Sequence, residues 1–159
     1  PLVVNGLSAM VDDPAAIKRK AARHIGKKPW GIQWYYDTFI DFLIPGKVYV
    51  VRISFRAEQK SLRENGKVFD MRFFHHGNTM KAHKQPLFTA YFNKQKDGTG
   101  KYRTEVLGKV IVKDPFSTGM FWMNSLVNSD EAVWYEKLEF IPIEEYKESD
   151  SIPDKTGYL

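Results

Sequence analysis

Apolar residues recurring at every second position constrain this chain more than any other feature. From Lys47 the sequence reads K-V-Y-V-V-R-I-S-F-R, so Tyr49, Val51, Ile53 and Phe55 share one side, with Arg52, Ser54 and Arg56 on the other. Successive Cβ atoms of a strand point to opposite faces, so this run predicts a half-buried strand entered through the turn Pro45-Gly46. Val68–His75 repeats the pattern, setting Phe69, Met71 and Phe73 against Asp70, Arg72 and Phe74. Leu87–Asn93, Tyr102–Val112, Gly119–Leu126 and Ala132–Ile143 continue the series, and Trp30–Tyr36 and Thr38–Leu43 precede it. Asn65-Gly66, between the two long runs, is a hairpin signal, lengthened by the polar stretch Glu58–Lys67. Roughly seven or eight short strands separated by turn clusters describe an antiparallel sandwich or barrel.

One segment speaks for a helix. Asp12-Asp13-Pro14 offers an N-cap with proline at the first helical position, Lys18 to His24 place cations near its end, and Gly26 supplies a stop. Local rules therefore predict a short helix over residues 14–23.

Length and composition bound the function. The 159 residues suit one domain, and 43% hydrophobic with 27% charged residues is ordinary globular composition. We expect a single β-sandwich domain over residues 1–143, followed by an acidic, loosely ordered extension over 144–159. The chain has no cysteine, which excludes disulfides, thiolate metal sites and thiol nucleophiles. No apolar run approaches the roughly 20 residues of a membrane span, and no signal peptide opens the chain. Gly98-Thr99-Gly100 leads into Lys101-Tyr102-Arg103 rather than a helix, so it is no phosphate loop; a nucleophile elbow and a zinc-protease motif are also missing. These absences point away from an enzyme.

Charge is unevenly spread. Residues 130–159 carry nine acidic and three basic side chains, which leaves a net +11 on residues 1–129. A basic body suits a polyanion partner, but its longest block is only Lys18-Arg19-Lys20, as a solvated face would show. The acidic C-terminus and the lack of a single-strand-binding motif argue against a nucleic-acid-binding β-domain.

Ala132–Pro142 is the most informative stretch. Strict alternation puts Trp134, Glu136, Leu138 and Phe140 together on a core face and Tyr135, Lys137 and Glu139 opposite. A carboxylate in line with core positions is costly unless it is paired or binds a cation. The Trp134-Tyr135-Glu136-Lys137-Leu138-Glu139-Phe140 run resembles the last strand of the β-sandwich carbohydrate-binding modules appended to bacterial glycoside hydrolases. Val11–Ala16 followed by Lys20-Ala21-Ala22-Arg23, Pro45–Val51, Trp30-Gly31-Ile32-Gln33-Trp34 and Phe121-Trp122 are similar to other stretches of such modules. The resemblance implies an all-β, antiparallel two-sheet sandwich of jelly-roll type, with Ala16–Arg23 as loop then strand. It also implies a non-catalytic module that binds a poly- or oligosaccharide. The parent protein would be secreted, periplasmic or at the cell surface and would carry a catalytic domain. A structural calcium between Asp12, Asp13 and Glu136 belongs to the same implication; the residues by themselves allow Asp13 to cap a helix and Glu136 to pair with Lys or Arg.

A sugar site needs aromatic planes for pyranose faces and polar groups for hydroxyls. Trp122 and Phe74, each alternating with polar residues, are the expected platforms, with Arg52, Arg56, Arg72 and Asn124 beside them. Trp30 and Trp34 are loop-edge alternatives. The excess of Arg on these faces points beyond neutral cellulose or xylan toward acidic glycans, whose carboxylates Arg grips bidentately. A sandwich serving only structure or protein interaction within a larger enzyme is the competing expectation.

Overall fold

The structure, a computed structural model, describes residues 2–3, 8–27, 31–36, 43–75, 81–82, 86–93, 96–113, 119–147 and 152–159. Its strands are β1 (Leu2–Val3), β2 (Ser8–Asp12), β3 (Lys20–Ile25), β4 (Ile32–Tyr36), β5 (Val48–Arg56) and β6 (Lys67–His75). They continue with β7 (Lys81–Ala82), β8 (Phe88–Tyr91), β9 (Arg103–Ile111), β10 (Gly119–Ser125), β11 (Ala132–Pro142) and β12 (Thr156–Tyr158). One sheet runs β1-β4-β10-β6, with β7 and β8 sharing the far edge of β6; the other runs β12-β9-β5-β11-β3-β2. Every pairing is antiparallel except β12 on β9. This is the all-β, two-sheet sandwich expected.

The period-two register holds through most of the core. Tyr49, Val51, Ile53, Phe55, Met71 and Phe73 are buried, and Leu138 and Phe140 pack against them. Aromatic rings close the space between the sheets: Phe55 meets Phe69 edge-on at 4.9 Å, Phe69 meets Tyr135 at 5.4 Å, and Phe121 meets Phe140 at 4.6 Å. The buried polar groups in this layer are paired. The Ser125 backbone N–H donates to His24 Nδ1 at 3.1 Å, and the Ser125 and Tyr135 hydroxyls share a 2.8 Å bond.

Four expectations need correction. The first is the helix: residues 14–19 are successive turns and β3 begins at Lys20. Asp13 does cap, but it caps a turn. Its Oδ1 accepts the Ala15 N–H at 3.0 Å, and Arg19, at φ 57°, swings the chain back so that the Asp13 N–H reaches the Arg19 carbonyl. Pairing with β2 over residues 20–24 and with β11 over residues 22–25 serves the backbone of β3, which outweighs a short helix's propensity.

The second concerns β11. A bulge between Tyr135 and Lys137 adds one residue, Glu136, to the strand. Before it Val133 and Tyr135 face the core; after it Leu138 and Phe140 do. Trp134 is therefore not a core residue in line with Leu138, and Tyr135, assigned to the outer face, is almost wholly buried. Third, Asn65-Gly66 does turn the chain, with Gly66 at φ 72°, but β5 and β6 belong to different sheets and no hairpin joins them. Fourth, the C-terminal segment is not a loose extension over 152–159: β12 pairs with β9 and Leu159 enters the core. The strand expected at Thr38–Leu43 lies, but for buried Leu43, outside the described residues.

Candidate functional site

Inward packing of Phe121 and Met123 on β10, and of Met71 and Phe73 on β6, turns their even-numbered neighbours to the outside of the first sheet. The two strands pair with Trp122 opposite Arg72, Asn124 opposite Asp70 and Met120 opposite Phe74. Four of the expected ligand-binding residues, Trp122, Phe74, Arg72 and Asn124, are thus brought onto one face. The Trp122 and Phe74 rings lie with centroids 5.4 Å apart and planes tilted by 46°, both partly exposed.

A polar chain fixes the indole. Trp122 Nε1–H donates to Asn124 Oδ1 at 2.7 Å, Asn124 Nδ2 donates to Asp70 Oδ1 at 3.1 Å, and Arg72 Nη2 donates to Asp70 Oδ2 at 3.4 Å. Asp70 is buried beneath the others, so the carboxylate anchors amide and guanidinium together. Gly31, just before β4, lies against the same edge: a Cβ there would come within 2.5 Å of Trp122 Nε1 and 2.9 Å of Asn124 Oδ1. Only glycine lets the backbone approach so closely. The result is an oriented aromatic pair flanked by carboxylate, amide and guanidinium, groups that exchange hydrogen bonds with hydroxyls. Sequence reading missed the anchoring roles of Asp70 and Gly31. Asp70 could have been found from its register beside Asn124; the close approach at Gly31 has no sequence signal beyond a glycine between tryptophans.

The remaining expected residues lie elsewhere. Arg52 and Arg56 project from β5 on the outside of the second sheet, away from Trp122, and both are committed to carboxylates. Arg52 Nε donates to Glu139 at 2.6 Å, and Arg56 Nη2 meets Asp13 Oδ2 at 2.9 Å. The Arg56 guanidinium also stacks on Trp134, 3.7 Å from the ring centroid. Burial alone would raise the Asp13 carboxyl, but hydrogen bonds from Tyr102, Arg56 and the Ala15 N–H outweigh it and hold it below the usual carboxylate range. Glu139 is likewise lowered, chiefly by Arg52. Trp34 is in β4, in register with Phe121, and Trp30 lies outside the described residues.

Two of the expected calcium ligands, Asp12 and Asp13, are held by other partners. Asp13 is occupied by an arginine and a tyrosine, Asp12 pairs with Lys20 at the surface, and no group of three acidic or histidine side chains among the described residues could hold an ion.

No family model and no curated protein matches the sequence. Solved structures do match the fold. The C-terminal family 22 carbohydrate-binding module of Clostridium thermocellum Xyn10B superposes with a TM-score of 0.62 at 7% identity, over 92% of this chain and 88% of that one. The family 22 and catalytic GH10 modules of the same organism's xylanase 10B, complexed with xylohexaose, give 0.57 at 10% identity, over 89% of this chain and 26% of that one. A family 35 module from Clostridium thermocellum gives 0.54 at 14% identity, over 88% and 91%. At such identities the likeness is one of architecture, and this chain has the two-sheet fold of carbohydrate-binding modules.

Proposed function

We propose that this chain is a non-catalytic carbohydrate-binding module that holds a poly- or oligosaccharide on the outer face of the first sheet. The observation that carries the reading is the Trp122–Phe74 pair, partly exposed and braced by the Asp70–Asn124 network. An aromatic pair kept out of the core, at a fixed angle and beside hydroxyl-binding groups, suits the alternating apolar faces and hydroxyl edges of pyranose rings. The fold it shares with modules of polysaccharide-degrading enzymes supports the same reading. The module would bring a catalytic domain of a secreted, periplasmic or cell-surface parent to its polysaccharide.

Affinity electrophoresis in gels containing xylan, β-glucan or mannan tests it. By analogy with base–aromatic stacking, Trp122→Ala should cost about 1–3 kcal/mol of binding, with little change in melting temperature. A large fall in melting temperature with retention unchanged would assign Trp122 to packing and leave a structural sandwich as the reading.

A further inference from the structure

On the opposite face, the β11 bulge and the β2–β3 turn enclose a pocket of about 220 Å³ lined by Ile17, Lys18, Lys20, Glu136 and Lys137. Its chemistry is unusual in three ways. Glu136 Oε2 is buried and accepts no hydrogen bond among the described residues, a costly state for a carboxylate oxygen. Lys18, Lys20 and Lys137 line the same pocket: Lys18 makes no ion pair among the described residues, Lys20 pairs with Asp12 at the surface, and Lys137 pairs with the half-buried Glu139. Ile17 is 81% exposed at the rim, an apolar surface with nothing covering it.

We infer that this pocket is a second saccharide site, specific for a sugar acid. A ligand filling it must bring an anion for the lysines and a neutral hydroxyl donor for the Glu136 carboxylate. A phosphate or sulfate group supplies the first but is repelled by Glu136, whereas a hexuronate ring supplies both and lays an apolar face on Ile17. Lys137 is free to turn to a ligand because Glu139 keeps Arg52 as its partner, and the surface pair of Lys20 with Asp12 is cheap to break. The aromatic face and this pocket lie on opposite sheets, so one module would hold a neutral stretch on one side and a uronate on the other.

Affinity electrophoresis in polygalacturonate at low salt, with the neutral glycans run in parallel, tests the site. The wild-type chain should be retarded, and Lys18→Ala and Lys137→Ala should each weaken retention roughly tenfold, as loss of a charge-assisted hydrogen bond does. Both are exposed positions, so folding should be preserved, and retention on neutral glycans should not change. Glu136→Leu should weaken uronate binding despite removing a negative charge, which distinguishes hydroxyl recognition from general attraction. No retardation by polygalacturonate, retardation that the lysine variants keep, or equal lysine-dependent retardation by dextran sulfate would overturn the proposal. The neutral-glycan gels report the aromatic site separately.

Discussion

Arg56 joins an aromatic ring to a buried carboxylate. Its guanidinium lies between the Trp134 ring and the Asp13 carboxylate, with the Tyr102 hydroxyl closing the set by donating to Asp13 at 2.8 Å. Asp13 and Arg56 are both largely buried, so cutting either away leaves the other charge uncompensated. We expect Asp13→Asn to cost about 3–5 kcal/mol of folding stability, read from denaturant midpoints. The acid limb carries the same signature. Because the folded carboxyl titrates below its unfolded value of about 3.9, its contribution is complete above that pH and is lost as pH falls through the lower folded value. Asp13→Asn should therefore flatten the loss of stability below pH ~4, and a variant with the same acid slope as wild type would contradict the network.

At the scale of elements, the C-terminal segment and the β11 bulge are the features to test. Leu159 is 4% exposed in the core, its N–H bonds to the Ile111 carbonyl and its carbonyl accepts from Lys113. Leu159→Ala should lower stability by about 2–3 kcal/mol by urea titration, as truncation of a buried leucine does. An extension without structural weight would show no change. Period two made β5, β6, β9 and β10 legible, and with them the grouping of Trp122, Phe74, Arg72 and Asn124. It could not make β3 legible, since Ala21-Ala22 and a good cap satisfy helix rules until β2 and β11 are known to flank them. Nor could it reveal the bulge, because an extra residue reverses the alternation while leaving composition untouched. That reversal moved Trp134 outward and Tyr135 inward. The separation of Arg52 and Arg56 from the aromatic platform depends on which strands share a sheet, and local pattern does not encode that.

For the whole molecule, the outer faces of the two sheets carry different chemistry: the Trp122–Phe74 pair with its Asp70 network on one, the Arg56–Trp134 stack and the lysine-lined pocket on the other. Since arginine holds Asp13, melting should be the same in chelator as in millimolar calcium; a rise with calcium would show ligands beyond those described. The order of strands has a further consequence, in time rather than in space. Every connection from β3 to β6 and from β8 to β11 passes from one sheet to the other. β5, at the centre of its sheet, has no neighbour until β9 and β11 exist, and β4 has only the two residues of β1 beside it until β10 arrives. Such non-local pairing sets folding in the range of milliseconds to seconds. During synthesis the N-terminal half therefore emerges with apolar strands that nothing yet covers. Its exposure ends only when the last third of the chain arrives, and that interval is when the protein depends most on being shielded from its own copies.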